Sequence, residues 1–148
     1  MGPTNTQERT STTQPRVIAA DNHPAMLSAI ADLLRESFDV VALASDGVAA
    51  LDVILGLEPD LVVLDISMPG MSGIEVAREV RKRSNKVKIV FLSTYQDSHF
   101  VKDCLAAGGQ GYVVKMLMGS DLIPAIHAVL AGHVFVSARQ LRSTRRID

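Results

Sequence analysis

Leu61-Val62-Val63-Leu64-Asp65-Ile66-Ser67-Met68-Pro69-Gly70 is the stretch on which the fold turns. Four apolar residues run without alternation into a carboxylate, and Pro69-Gly70 then break the chain. An unalternating apolar run bounded by turn residues reads as a strand covered on both faces, the habit of parallel sheets. Working outward, the same signature recurs at Val17–Ala20, Val40–Leu43, Ile89–Leu92 and Tyr112–Val114. These are read as five strands.

Helical patterns separate them. Pro24 opens the first, with Met26, Leu27, Ile30, Leu33 and Leu34 on one side, since proline is tolerated in a first turn. Ser45 or Asp46 caps the second, and Ser72 caps the third, whose carboxyl end carries Arg81, Lys82 and Arg83. The fourth carries Phe100, Val101, Cys104 and Leu105 and stops at Gly108-Gly109; the fifth spans about Asp121 to Ala131, where Pro124 obscures the start. Five βα units in series predict an α/β fold, (βα)5, a doubly wound five-stranded parallel sheet with right-handed crossovers.

The organisation expected is residues 1–15 as a disordered Thr/Ser/Gln-rich segment, 16–137 as the domain, and 138–148 as a basic tail. Charge supports the division. The 148 residues carry a formal net charge of −1, with 15 Lys+Arg against 16 Asp+Glu, yet Arg139, Arg142, Arg145 and Arg146 crowd the end of an otherwise acidic chain. Near-balance excludes a histone-like protein, and absent Trp with 4% aromatic residues argues against a base-stacking binder. One cysteine, Cys104, excludes an intramolecular disulfide framework or a multi-cysteine zinc site. No apolar run reaches a membrane span, so a cytoplasmic setting is expected.

In doubly wound sheets, ligands bind beyond the carboxyl ends of the strands, near the switch in strand order. Reading only those positions gives Asp21-Asn22 after the first strand, Asp65 after the third, Ser93-Thr94 after the fourth and Lys115 after the fifth. Carboxylate and amide oxygens suit Mg²⁺, and a carboxylate can attack phosphorus to give an acyl phosphate. Phosphoryl transfer needs positioning and charge neutralisation. Asp65 as acceptor, Mg²⁺ at Asp21, Lys115 as cation and Ser93 as hydroxyl donor supply each part. Asn22 has two readings, a cap of the first helix or a metal ligand.

With these residues in order, the chain resembles the receiver domain of a bacterial two-component response regulator. It is most similar to the NarL/LuxR-type subgroup, in which a receiver precedes a helix-turn-helix DNA-binding domain. The motifs carrying the resemblance are Asp21-Asn22-His23-Pro24, Leu64-Asp65-Ile66-Ser67-Met68-Pro69 with Gly73, Leu92-Ser93-Thr94, and Gly111-Tyr112-Val113-Val114-Lys115. Gly132-His133-Val134-Phe135-Val136-Ser137 resembles the segment that closes such receivers.

The resemblance implies that Asp65 accepts phosphate from a sensor histidine kinase. It implies Mg²⁺ held by Asp21, Asn22, Asp65 and the Ser67 backbone carbonyl, with Lys115 pairing to the phosphoryl group. Ser93 is then the switch hydroxyl, Tyr112 the aromatic that rotates inward, and Thr94 the residue governing water access. Their movement would remodel the surface of the fourth helix, fifth strand and fifth helix and so control a transcriptional output domain. That output domain, and through it DNA, are implied partners, as is a homodimer; no membrane is. Such a domain is a regulatory phosphoacceptor, not an enzyme beyond its own phosphotransfer and dephosphorylation. No helix-turn-helix pattern follows Ser137, and the subgroup resemblance favours a piece of a longer regulator over a stand-alone receiver.

One departure stands out: Asn22 occupies a place that is acidic in the family, which implies weaker Mg²⁺ binding. It also opens a second reading, a pseudo-receiver that signals without phosphate. A phosphatase of the haloacid-dehalogenase type would need an acid where Ser67 stands, and a flavodoxin-like cofactor binder would need a phosphate loop after the first strand. Cys104 is expected to be inert core, Arg81-Lys82-Arg83 a solvated helix end, and His23, His99, His127 and His133 surface or packing residues.

Overall fold

The computed structural model describes residues 14–94 and 98–137. The elements are β1 (Arg16–Ala20), α1 (Pro24–Arg35), β2 (Asp39–Ala44), α2 (Gly47–Leu57), β3 (Leu61–Asp65), α3 (Gly73–Arg83), β4 (Lys88–Ser93), α4 (Ser98–Ala106), β5 (Gly111–Val114), α5 (Met118–Leu130) and a short β6 (Phe135–Val136). All strands are parallel, in the order β2-β1-β3-β4-β5-β6. The α/β receiver-type sheet predicted from the apolar runs is therefore present. The expected segments 1–15 and 138–148 lie almost wholly outside the described residues.

Alternation along each strand splits the core into two layers. Ile18, Val62, Leu64, Ile89, Phe91 and Tyr112 pack with Ala50 and Ile54 of α2, Val76 and Val80 of α3, and Cys104 of α4. Val17, Ala19, Val63, Val90, Leu92 and Val113 pack with Ile30 and Leu34 of α1 and with Leu122, Ile126 and Val129 of α5. Because both faces are covered, neither can be polar, which is why the strands read as continuous apolar runs. Cys104 is fully buried, as expected of a core thiol.

The helix starts follow their capping chemistry. Asp46, rather than Ser45, caps α2, its carboxylate accepting from Ala49 N at 2.8 Å. Ser72 caps α3 in a reciprocal box, accepting from Glu75 N while Ser72 N donates to the Glu75 carboxylate. At α1 the N-cap is His23, which makes no side-chain cap bond. Asn22 is thus not the cap of α1, and the capping reading of that residue falls.

Two features depart from the sequence expectation. α5 begins at Met118, ahead of Asp121, because a 3-10 turn over Lys115–Leu117 feeds straight into it. Pro124 therefore sits inside the helix, where it donates no bond to the Ser120 carbonyl. The closing segment adds β6 beside β5: Phe135 N donates to Gln110 O and Ser137 N to Tyr112 O. Its two residues are too short for periodicity to register. Among the described residues no helix is long and apolar enough to cross a membrane.

β1 has β2 on one side and β3 on the other. The chain runs outward from β1 in one direction, then crosses over and builds the rest of the sheet in the other. The helices following β1 and β3 diverge to opposite faces, which opens a crevice above the ends of these two strands. Asp21 and Asp65 stand at its floor.

Candidate phosphoryl and metal site

Asp21 follows β1 directly. Its backbone N–H donates to Ala44 O at 3.1 Å, and its Oδ1 accepts from His23 N at 2.9 Å, so a short turn fixes the carboxylate. Asp65 is the last residue of β3 and is paired with Leu92 of β4. The loop after it folds back through Gly73 N donating to Ile66 O at 2.8 Å. Gly73 is required there, since a Cβ would land on the Asp65 carbonyl oxygen. Met68 is buried beneath the loop, and Gly47 N reaches Pro69 O at 3.4 Å.

Lys115 leaves the end of β5 and extends over β4 and β3. Its Nζ lies 2.7 Å from Asp21 Oδ2 and 3.3 Å from Asp65 Oδ1. Ser67 N also approaches Asp65 Oδ1, at 3.4 Å. Asn22 lies against the same loop, where its amide nitrogen would make hydrogen bonds to Ser67 O at 3.2 Å and Asp65 Oδ2 at 3.3 Å, and its oxygen would need a cation between. Ser93, at the end of β4, is buried, while Thr94 beside it is exposed. Asn22, His23, Asp65, Ser67, Ser93, Thr94 and Lys115 together line one pocket of about 200 Å³.

Tyr112 is not in that pocket. It is fully buried in the layer of Phe91 and Val114, an inward position. His23, expected to be a surface or packing residue, keeps an exposed ring at the pocket rim, with Nδ1 3.5 Å from Asp21 Oδ1. His127 does pack, its ring centroid 5.3 Å from that of Phe38. His99 has no described side chain.

The electrostatics follow from two buried carboxylates sharing one ammonium. Burial, reinforced by the Asp21 charge, raises the Asp65 carboxyl above its ordinary value, against the opposing pull of Lys115 and of Ser67 N–H. Asp65 is thus a poorly solvated carboxylate facing an open pocket, which favours nucleophilic attack on phosphorus. Asp21 Oδ2 is buried and has no hydrogen bond of good geometry, only the charge of Lys115 beside it. Ligand atoms of Asp21, His23 and Asp65 lie within 4.8 Å of one another. Two carboxylates, with the Ser67 carbonyl and the Asn22 amide beside Asp65, make an oxygen-rich donor set. These residues fit a hard divalent cation such as Mg²⁺.

A larger hollow of about 710 Å³ lies at the opposite end of the sheet, among Ile54, Pro59, Val80, Arg83 and Val87. No paired buried carboxylates converge there, so volume does not mark the chemical site. Sequence reasoning also missed a structural cation nearby in the chain. Arg81 is no solvated helix end: its guanidinium donates to Gly108 O at 2.8 and 3.2 Å and to Ser84 O at 3.1 Å. Nothing local in Arg81-Lys82-Arg83 distinguishes the first from its neighbours; only the positive φ of Gly108, against which it packs, hints at a close approach.

The response regulator receiver domain family matches the chain over residues 17–127. The nitrate/nitrite response regulator protein NarL of Escherichia coli K12 is 32% identical over 123 residues, which is 82% of this chain and 57% of NarL. A two-component response regulator of the LuxR family from Aurantimonas sp. SI85-9A1 superposes with a TM-score of 0.85 at 31% identity, covering 92% of this chain and all of that one. The isolated receiver domain of RcsB from Salmonella enterica serovar Typhimurium, solved with the phosphomimetic BeF3-, gives 0.81 at 25% identity over 88% of this chain and 98% of that one. The chain spans about three fifths of the length of the curated relatives it matches.

Proposed function

Because this chain belongs to the response regulator receiver domain family and is of the NarL/LuxR type, we propose that it is a phosphorylation-dependent switch with Asp65 as phosphoacceptor. The observation that carries this reading is the Lys115 ammonium held between Asp21 and Asp65 above the switch in strand order. A carboxylate oxygen of Asp65 attacks the phosphorus of a kinase phosphohistidine. The P–N bond breaks, the imidazole leaves with its electron pair, and Asp65 becomes an acyl phosphate. Lys115 turns its ammonium from the free carboxylate onto the phosphoryl oxygens, so the charge that arrives meets a cation already in place.

Mg²⁺, held by Asp21, Asp65, the Ser67 carbonyl and the Asn22 amide oxygen, would neutralise charge on the transferring group. The Ser93 hydroxyl donates to the phosphoryl oxygens, and Tyr112 occupies the inward position that goes with this. Thr94, at the exposed mouth, governs water attack on the acyl phosphate. The altered α4-β5-α5 surface then controls homodimerisation and a helix-turn-helix output domain, through which the whole protein would bind DNA in the cytoplasm. A domain of this family is regulatory, not an enzyme in the ordinary sense. Asn22 in place of an acid favours one other reading, a pseudo-receiver signalling without phosphate.

Titration with beryllofluoride and Mg²⁺, followed by amide NMR, tests the switch. Shifts should centre on Asp65, Ser93, Tyr112 and Lys115 and vanish in Asp65→Ala. A spectrum unchanged by beryllofluoride would favour the pseudo-receiver.

A further inference from the structure

Residues 132–137 line no part of the phosphoryl pocket, yet the last of them is fastened to the strand that carries Lys115. β6 lies along β5 for two residues only, Phe135 opposite Gly111 and Val136 opposite Tyr112. Ser137 N then donates to Tyr112 O at 2.9 Å, and its side-chain Oγ accepts from Val114 N at 3.0 Å. In an evenly spaced parallel ladder, that second donor would meet a backbone carbonyl of the outer strand. Here a hydroxyl supplies the rung. Ser137 is fully buried and Val114 is 1% exposed, so water has no access to replace the bond. Without it Val114 N–H would be a buried donor with no acceptor on that side, which native structures rarely tolerate.

Val114 is where β5 ends. It is registered with Ser93 of β4 on one side, bonded to the Ser137 hydroxyl on the other, and followed at once by the 3-10 turn that opens with Lys115. From that backbone the lysine reaches over β4 and β3 to Asp21. We infer that Ser137 is a positioning residue for phosphoryl transfer: its hydroxyl clasps the end of β5 and so fixes the point from which the Lys115 side chain starts. One ammonium must meet Asp21 at 2.7 Å and Asp65 at 3.3 Å, so a shift of the backbone beneath it parts it from one of them. Such misplacement is costly in a reaction that consists mostly of positioning. What matters in Ser137 is its oxygen and not its bulk, since alanine fits the same space and accepts nothing.

This inference rests on the proposed role of Lys115 in phosphoryl transfer, but the placement of the lysine is measurable without phosphate. The experiment uses the full chain with Ser137→Ala and Ser137→Cys, and Val136→Ala as a β6 variant that keeps the hydroxyl. Ser137→Ala is also made in a Lys115→Ala background. Phosphorylation of Asp65 by acetyl phosphate with Mg²⁺ is followed by intact mass. Ser137→Ala should slow it at least about tenfold and Val136→Ala less than about twofold. Ser137→Cys should fall between, because sulfur accepts weakly. In the Lys115→Ala background Ser137→Ala should cost less than about twofold, since two residues acting through one group are not additive. Equal losses in both backgrounds overturn the proposal, because Ser137 then acts on stability alone. The second measurement is the carbon–proton NMR signal of Lys115 Cε in the unphosphorylated protein. It should move in Ser137→Ala and stay in place in Val136→Ala; a signal unmoved by Ser137→Ala overturns the proposal. A wild-type chain that takes no phosphate while the signal moves as predicted would overturn the proposed function and leave the placement of Lys115 by Ser137 standing.

Discussion

Lys115 Nζ lies 2.7 Å from Asp21 Oδ2, although the strands they follow, β5 and β1, are separated in the sheet by β3 and β4. The lysine crosses Asp65 on the way, at 3.3 Å. One cation therefore serves two carboxylates, and the pocket is under-neutralised by construction. Such a site is costly while empty of ligand and stabilised by whatever brings a second positive charge.

The first consequence concerns pH. Burial raises the Asp65 carboxyl above its ordinary 3.8. A group whose folded pKa lies above its unfolded value holds more protons folded than unfolded between the two. Stability is thus lost as pH rises through that window, and the charged form is a liability at neutral pH. Asp65→Asn should raise the melting temperature of the metal-free protein at pH 7, and the gap should close as pH falls towards 4. A scan of melting temperature against pH in EDTA checks this; a variant that melts lower at pH 7 contradicts it.

Gly73 gives a contrast of sign with Gly56. A Cβ at Gly73 meets the Asp65 carbonyl oxygen and the Ile66 Cα, both backbone, whereas at Gly56 it meets nothing within 4 Å. Gly73→Ala should destabilise by about 1–3 kcal/mol and slow phosphorylation of Asp65. Gly56→Ala, within α2, should stabilise by roughly 0.5–1 kcal/mol. Urea denaturation of both variants gives the comparison.

Arg81 ties α3 to the α4–β5 connection through Gly108 O and to its own helix end through Ser84 O. Arg81→Ala should cost about 1.5–3 kcal/mol, the range for hydrogen bonds involving a charged group. Arg81→Lys should recover only part, because an ammonium cannot reproduce the fork. Chemical denaturation of the two variants tests the order; equal stabilities for wild type and Arg81→Ala would return it to the solvated end that its neighbours Lys82 and Arg83 suggest.

The positions of the site residues were legible because the sheet rule reduces a long chain to its strand ends. Asp21, Asp65, Ser93 and Lys115 each follow an apolar run, and a parallel sheet brings such ends to one edge. That Asn22 leaves the cap position of α1 to His23 and lies against Ser67 and Asp65 was not legible, because both partners stand across the crevice. Arg81 was missed for the same reason: its acceptor at Gly108 is remote in sequence. β6 and the early start of α5 escaped because the first is too short to show a period and Pro124 masks the second.

Cys104 supplies a check on the core. It is fully buried, and burial, aided by Asp103, pushes its thiol up to about 12. Iodoacetamide at pH 8 should leave the native protein unmodified over the time in which it labels the urea-unfolded chain. Rapid alkylation of the native protein would mean that α4 does not hold its apolar face against Phe91.

The central claim, that Asp65 is a phosphoacceptor, is tested most directly by intact mass after incubation with Mg²⁺ and a small phosphodonor. The account predicts a single phosphoryl adduct, lost on mild base treatment and absent from Asp65→Ala. No adduct under conditions that label another receiver domain, or an adduct that persists in Asp65→Ala, would contradict it.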